Sequence, residues 1–336
     1  MMYYLQFPAG SLPILEDVLQ QRIGKFHVRF SDDSSILFDS KVPPKQIASL
    51  SFVKNAFLVV ADEARGKSIE DSIRRLSNRL RSKDLAWPRL TPRGGGFRTM
   101  VHIDGQLAPI SSRDRAALTT TIERATGQRL LSRGGGQEYW IIGRREFKRI
   151  LFCARLARSA PAQKAAGALS AELSAMIVAA SSPRPNDVVL DPFAGSGALL
   201  GARSEYPSKT LIYNDLALKE HRGRLDARLK GKHFTALAED AFNLRGVPSG
   251  SVDVVITDPP WGEYEELETK FAEWAQQFAA LISRVLRPES KRFVVLINRR
   301  NSQALKDALR HASLPASRSL DILVNGHPAT ILIRSE

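Results

Sequence analysis

The stretch Asp187–Leu200, DVVLDPFAGSGALL, decides how the second half of this chain folds. It begins with a short apolar run typical of a buried strand, continues into a turn with Gly195 and Gly197, and ends in an apolar run that favours a helix. In an open α/β sheet, ligands bind at the carboxyl ends of the strands, and glycine there lets a ligand approach the backbone. The stretch therefore predicts a strand, a ligand-binding turn and a helix.

Residues 161–336 repeat this alternation of strand and helix. Three more strands are predicted by TLIYND (210–215), SVDVVITDPP (251–260) and RFVVLIN (292–298), with an amphipathic helix before Pro288. Alternating strands and helices predict a mostly parallel sheet covered on both faces. Two β-rich runs flank Asn325 and Gly326, which is a hairpin signal, so we expect an antiparallel last strand. The fold class is α/β.

The first half favours an α+β arrangement. A Pro- and Gly-rich stretch, AWPRLTPRGGGFR (86–98), marks a boundary within it. We therefore predict three parts: 1–84, 85–160 and 161–336.

Charge is distributed unevenly along the chain. Residues 1–160 hold 27 of the 49 basic and 15 of the 35 acidic residues, so nearly all of the net charge of +14 lies there. This asymmetry indicates a module that binds a polyanion, for which a nucleic acid is the usual partner, although a basic surface without a partner gives the same count. The candidates for phosphate contacts are Arg79, Arg81, Lys83, Arg89 and Arg93.

Several classes of protein are disfavoured. The first residues lack the pattern of a secretory signal, and no apolar run is long enough for a membrane span, so we expect a cytoplasmic protein with no membrane partner. One cysteine, Cys153, excludes a disulfide framework, and six scattered histidines predict no metal site. The oligomeric state stays open, with a monomer favoured.

Two acids follow the next predicted strands. Asp215 ends TLIYND, where an acid can accept both hydroxyl groups of a ribose. Asp240, in AEDAFNL, follows a candidate third strand, where a carboxylate could accept from an adenine amino group. The glycine turn matches neither the dinucleotide fingerprint nor a phosphate loop.

The segments DPFAGSGALL, YNDLA, AEDAFNL and DPPWGEY resemble, in this order, the motifs of class I S-adenosylmethionine-dependent methyltransferases with an Asn/Asp-Pro-Pro-aromatic motif. With a basic α+β region ahead, the chain is similar to the THUMP-containing tRNA guanine-N2 methyltransferases. The resemblance implies a Rossmann-like catalytic domain at 161–336, a ferredoxin-like segment at 1–84 and a THUMP-like RNA-binding segment at 85–160. The glycine-rich stretches of the first half do not reproduce a THUMP signature residue by residue.

The resemblance also implies a cofactor, S-adenosyl-L-methionine, and assigns residues to it. Asp215 would hold the ribose, Asp240 and the Ala241 backbone would hold the adenine, and Asp258 is also implied as a cofactor residue. The residues implied for the methionine and sulfonium end are Asp191, Pro192, Phe193, Ala194, Gly195, Ser196 and Gly197.

The catalytic residues implied are Asp258, Pro259, Pro260 and Trp261. The lone pair of an exocyclic amino group is delocalised into the base, so methylation requires acceptors that hold both N–H bonds. Asp258 and the Pro259 carbonyl can supply these acceptors, the prolines fix the backbone, and Trp261 offers a face for stacking. Taken alone, prolines that end a strand and a tryptophan that covers the core would explain the stretch equally well.

The predicted reaction is methylation of a guanine N2 amino group in tRNA. Two alternatives stay open: the same chemistry on ribosomal RNA or on an adenine or cytosine amino group of DNA, and an RNA-binding protein with a methyltransferase-like fold but no activity.

Overall fold

The structure is a computed structural model that describes residues 1–82, 85, 87, 88, 90, 95–157, 169–260 and 267–335, with the backbone alone at 267–270. Contacts divide the chain into two compact units, Met1–Gln6 with Arg22–Ser159, and Phe7–Gln21 with Ala160–Glu336.

One mixed sheet runs through the first unit. Its order is β2-β3-β1-β4-β9-β8-β5-β6, and β7 pairs with β5. The strands are β1 (Met2–Gln6), β2 (His27–Asp32), β3 (Ser35–Asp39), β4 (Asn55–Ala64), β5 (Gly96–Ile103), β6 (Gln106–Leu107), β7 (Arg129–Leu130), β8 (Gln137–Arg144) and β9 (Arg149–Arg155). The helices of the first half are α1 (Leu12–Ile23), α2 (Pro44–Ala48), α3 (Ile69–Leu80) and α4 (Ser112–Thr126). Because β4 and β9 pair side by side, a single sheet spans the parts predicted as 1–84 and 85–160.

Local sequence sets the ends of α3 and α4. Ser68 accepts a hydrogen bond from the Asp71 backbone N–H at 3.1 Å and so caps the start of α3. Ser111 caps α4 in the same way, and α4 stops at Gly127, whose φ of +72° a residue with a side chain rarely adopts. Ile73 and Leu76 of α3 and Leu118 and Ile122 of α4 are buried on the sheet.

The second unit has the predicted parallel sheet, in the order β12-β11-β10-β13-β14-β16-β15. The strands are β10 (Val188–Asp191), β11 (Thr210–Asn214), β12 (Phe234–Leu237), β13 (Val254–Thr257), β14 (Arg292–Asn298), β15 (Arg318–Val324) and β16 (His327–Arg334). The helices are α5 (Ala171–Ala180), α6 (Ala198–Arg203), α7 (Leu218–Arg228), α8 (Leu267–Val285) and α9 (Ser302–His311). Strands β10 to β14 are parallel, and the last strand, β16, is antiparallel between β14 and β15, which confirms the predicted fold class.

The core of this unit follows from the apolar strands. All four residues of β10 and of β13 are buried, as expected for central strands covered on both faces. Helix α8 buries Phe278, Ile282 and Val285 against them and ends before Pro288. The predicted hairpin turn lies at Asn325 and Gly326, both with positive φ. Within the described residues, no helix combines the length and the apolar character that crossing a bilayer requires.

Candidate active site

Four predicted site carboxylates lie at the carboxyl ends of neighbouring parallel strands. Asp191 ends β10, Asp215 follows β11, Asp258 follows β13, and Asp240 begins the short 3-10 turn after β12. Parallel pairing places these ends along one edge of the sheet. The tertiary structure therefore gathers residues that are up to 67 positions apart in the sequence into the crevice where α/β sheets bind ligands.

The glycine turn after β10 is held open by its neighbours. Gly195 has a φ of +48°, and no atom lies within 4 Å of the place that a Cβ would take, so the backbone borders free space. Its N–H donates to Asp215 Oδ2 at 2.7 Å, and its carbonyl accepts from the Tyr213 hydroxyl at 2.6 Å. Gly197 differs, because a Cβ there would meet Leu225 of α7 at 3.2 Å. Gly195 thus faces the crevice, and Gly197 permits close packing of a helix.

Asn214 joins the ends of three strands. It is buried, and its amide donates to the carbonyls of Pro192 and Glu239 at 3.1 and 2.9 Å. Its side-chain oxygen accepts from the Glu239 N–H at 2.9 Å. No motif in the sequence pointed to Asn214, although an amide directly before Asp215, at the end of an apolar strand, is a signal that could have found it.

Asp191 is a fully buried acid. Its Oδ1 accepts from the Thr257 hydroxyl at 2.7 Å and from the Phe193 N–H at 3.3 Å. Burial, reinforced by the negative charges of Asp258 and Asp215, raises the pKa of the Asp191 carboxyl to about 8. Thr257, to which no sequence motif pointed, lies directly before Asp258, and its hydrogen bond joins the end of β13 to the end of β10.

The crevice also has apolar walls. The ring of Phe193 lies 6.0 Å from that of Phe242, and both lie near Trp274 of α8. Asp240 is exposed and accepts from the Phe242 N–H at 3.2 Å, while Ala241 is buried. Leu216, next to Asp215, is 76% exposed, an unusual state for a leucine.

The predicted catalytic stretch begins where β13 ends. Asp258 is half-buried, Pro259 is buried and Pro260 is exposed. Trp261 lies outside the described residues. Ser170, at the start of α5, accepts from the Leu173 N–H, as a helix cap does.

Comparisons with known proteins agree with this geometry. Residues 221–322 match the family model described as UPF0020: RMKL-like, methyltransferase domain. A comparison with curated proteins finds no match.

Among solved structures, the chain is similar over its whole length to TrmN from Thermus thermophilus, with 19% identity, full coverage of both chains and a TM-score of 0.72. It is similar to SMU.472, a structure solved in complex with SAH. The two share 11% identity over 99% of this chain and 97% of that chain, with a TM-score of 0.66. It also resembles a structure described as a predicted N6-adenine-specific DNA methylase from Listeria monocytogenes. The identity is 14% over 99% of this chain and 95% of that chain, with a TM-score of 0.65.

The fold of the second unit and the family match over residues 221–322 are those of a methyltransferase domain, the class that the sequence motifs resemble. The predicted Rossmann-like domain behind an N-terminal α+β region is confirmed.

Proposed function

We propose that this chain transfers a methyl group from S-adenosylmethionine to the exocyclic N2 amino group of a guanine in tRNA. The observation that carries the proposal is the position of Asp258-Pro259-Pro260, at the end of a buried strand beside Asp191 and the open glycine turn.

The crevice fits this cofactor. The negative charges of Asp215 and Asp258 act on Asp191, and two carboxylates at this edge of the sheet favour a cationic ligand over a phosphate. The space at Gly195 admits a ligand against the backbone, and the exposed Leu216 supplies an apolar face beside Asp215 for a purine. When bound, S-adenosylmethionine supplies an electrophilic methyl group on a sulfonium centre.

The chain's own residues prepare the acceptor amine. The Asp258 carboxylate accepts one N–H of the amino group, and the Pro259 carbonyl accepts the other. With both N–H bonds held, the nitrogen lone pair is less delocalised into the base and is free to attack. Two prolines hold these acceptors in place before the substrate arrives, and less reorganisation is needed as positive charge develops on nitrogen. Asp258 is also placed to take up the proton that the methylated nitrogen releases.

The choice of tRNA depends on the first half of the chain. Its net positive charge suits an RNA backbone, and the proposed division into 1–84, 85–160 and 161–336 assigns RNA binding to the middle part. Arg79 and Arg81 on and after α3 stay candidates for phosphate contacts, and Lys83, Arg89 and Arg93 lie outside the described residues. The alternatives are ribosomal RNA and duplex DNA. The likeness to the Listeria structure, described as a DNA methylase, keeps DNA among them.

The test uses the full chain with methyl-labelled cofactor and tRNA, ribosomal RNA or duplex DNA, followed by digestion to nucleosides. We expect label in N2-methylguanosine from tRNA. Label in methyladenine or methylcytosine would instead support the alternative substrates, and no transfer to any nucleic acid would favour the inactive RNA-binding protein.

A variant pair tests the role of Asp258. Asp258→Asn should lower turnover at least about a hundredfold, because the charged acceptor is lost, with cofactor affinity within a few-fold of wild type. Asp226→Asn, which removes an exposed carboxylate on α7, is the matched control and should stay active. Similar turnover for Asp258→Asn and the control would contradict the proposed mechanism.

A further inference from the structure

One buried side chain joins the ends of the two strands that carry Asp191 and Asp258. The Thr257 hydroxyl donates to Asp191 Oδ1 at 2.7 Å, and both of these residues are almost fully buried. The parallel ladder between β10 and β13 ends one residue earlier on β10, at the pair Leu190–Val255. Beyond that pair, this side-chain hydrogen bond connects the end of β13 to the end of β10.

The other side of Thr257 is fixed by the backbone. Strand β13 pairs with β14 in register up to Thr257, whose partner there is Val295. Asp258, the next residue, is half-buried at the point where the strand ends. Because one peptide unit holds neighbouring Cα atoms about 3.8 Å apart, a displacement of Thr257 moves Asp258 with it.

Asp191 receives its hydrogen bonds on one oxygen. Thr257 and the Phe193 N–H, at 3.3 Å, both donate to Oδ1, and Oδ2 has no hydrogen-bond partner in the described part of the chain. A ligand can therefore act on Oδ2 while Oδ1 stays bound to Thr257. The rest of β13 is apolar, so the hydroxyl of Thr257 is the side-chain donor that this strand offers to Asp191.

The carboxyl group of Asp191 lies among other acids. Burial raises its pKa most, the charges of Asp258 and Asp215 raise it further, and the hydrogen bond from Thr257 opposes them. Thr257 is thus a group that stabilises the charged form of Asp191 from a neighbouring strand.

The remaining elements around β10 bring no cation to Asp191 within the residues that the structure describes. Strand β11 ends with Tyr213, whose pKa is raised by burial and by the charges of Asp215 and Asp191. Helix α5 carries one acid, Glu172, and helix α6 carries Arg203, which pairs with Asp187 before the start of β10.

We infer that Thr257 is a positioning residue that couples Asp191 to the placement of Asp258. Hydrogen bonds to a charged acceptor are shorter and about twice as strong as those to a neutral one, so this bond tightens when Asp191 loses its proton. The cationic cofactor favours that charged form, and the end of β13 is then held more firmly once the cofactor is bound. The inference rests on the proposed function in taking Asp258 as the acceptor of the substrate amine.

The cofactor-free protein tests the first step. Thr257→Val removes the hydroxyl and keeps the branched shape, whereas Thr257→Ser keeps the donor. Carbon-13 NMR of the aspartate carboxyl groups of the full chain follows the titration of Asp191, and Asp191→Asn identifies its resonance. We expect Thr257→Val to raise the pKa of Asp191 from about 8 to about 9, and Thr257→Ser to leave it unchanged.

The affinity for S-adenosylmethionine tests the response to the ligand. At pH 7, calorimetry should give a Kd about tenfold higher for Thr257→Val than for wild type, because the charged fraction of Asp191 is about tenfold lower. Near about pH 9.5 the carboxyl is largely charged in both proteins, so the two Kd values should agree within about threefold. A purely structural defect would weaken binding equally at both pH values.

Methyl transfer and NMR test the link to Asp258. At saturating cofactor, Thr257→Val should lower kcat about tenfold or more with little change in the KM for RNA, and Thr257→Ser should restore kcat to within about threefold of wild type. Cofactor binding should also shift the Asp258 carboxyl resonance less in Thr257→Val than in wild type. Thr235→Val, which changes an exposed threonine of β12, is the matched control and should behave as wild type throughout.

The coupling is overturned if Thr257→Val leaves the pKa of Asp191 unchanged, or if it weakens cofactor binding equally at both pH values. A wild-type kcat together with a wild-type response of Asp258 also overturns it. Thr257→Ala, which lacks the donor too, takes the place of Thr257→Val if thermal unfolding shows that the valine variant is misfolded. If the wild-type chain methylates no nucleic acid, the proposed function alone fails, and the NMR and calorimetric measurements decide the coupling.

Discussion

Asp191 illustrates how one residue acquires properties that its amino-acid type does not predict. A free aspartate has a pKa near 3.9, whereas burial at the end of β10 raises the pKa of this carboxyl to about 8. Asp191 is therefore expected to be protonated near neutral pH, with its Oδ1 bound by Thr257 and the Phe193 N–H.

The first prediction concerns pH and stability. As the pH rises above about 4, the unfolded chain releases the Asp191 proton before the folded chain does, so the contribution of this group to the free energy of unfolding falls until about pH 8. Asp191→Asn is neutral in both states and lacks this loss. Urea unfolding at several pH values should show the free-energy difference between variant and wild type growing in favour of the variant, by up to about 1.4 kcal/mol per pH unit. If the free energies of unfolding of variant and wild type changed with pH in parallel, the raised pKa of Asp191 would be contradicted.

The second prediction concerns the cofactor. A bound sulfonium cation favours the charged form of the nearby Asp191, so binding of S-adenosylmethionine at pH 7 should release up to one proton. Calorimetry in two buffers with different ionisation enthalpies measures this release. The Asp191→Asn variant should bind S-adenosylmethionine without releasing a proton. An equal proton release from the variant would show that the proton comes from another group.

At the scale of elements, a buried ion cluster joins helices to strands at the other end of the sheet. Asp187, just before β10, pairs with Arg203 of α6 at 3.1 Å and with Arg292 of β14, and all three side chains are almost fully buried. Arg292 donates to the carbonyls of Ser181 and Ser182 after α5. The cluster thus supplies hydrogen-bond donors to the free carbonyl groups at the end of α5 and pairs the buried charges with one another.

The third prediction follows from this cluster. Asp187→Asn leaves two buried guanidinium groups without a counterion, so the free energy of unfolding should fall by about 3–5 kcal/mol. The exposed pair Arg222–Asp226 is the comparison, and Asp226→Asn should change stability by less than about 1 kcal/mol. Denaturant unfolding measures the stability of both variants. Equal losses of stability would show that burial does not determine the cost of removing the carboxylate.

At the scale of the whole molecule, a segment that follows the first strand belongs to the second unit. Residues 7–21 cluster with the second unit, where Asp17 and the Pro13 carbonyl bind Arg318 of β15 at 2.5 and 3.1 Å. Gly10 has a φ of +84°, and a Cβ there would lie 2.4 Å from the Asp321 carbonyl oxygen. A cut at residue 160 therefore removes part of this unit, so tests of its activity require the full chain.

The fourth prediction uses two glycines with similar backbones. Gly24 has a φ of +70°, and no atom lies within 4 Å of the place that a Cβ would take, so alanine there costs only backbone strain. Gly10→Ala adds a clash with β15 and should lower the free energy of unfolding by about 1–3 kcal/mol more than Gly24→Ala does. Thermal or denaturant unfolding measures the loss of stability in each variant. Equal losses for the two variants would argue against close packing of the N-terminal segment on β15.

Local sequence predicted much of this fold. The parallel strands, the glycine turn, the end of α8 and the hairpin at Asn325 and Gly326 all follow from short-range rules of periodicity and turn geometry. Asp191, Asp215 and Asp258 could be predicted because each one follows an apolar run, and Asp240 because it follows a candidate third strand; parallel strands end at the same edge. Their roles as cofactor and catalytic residues stay predictions.

Contacts between distant residues could only come from the tertiary structure. The bond from Thr257 to Asp191, the bridges of Asn214, the sheet shared by β4 and β9, and the place of residues 7–21 in the second unit each join segments far apart in the chain. No local pattern encodes them, because they depend on which strands become neighbours. The raised pKa of Asp191 has the same origin: the sequence determined that an acid ends this strand, and only the packing around it decided that the acid is buried.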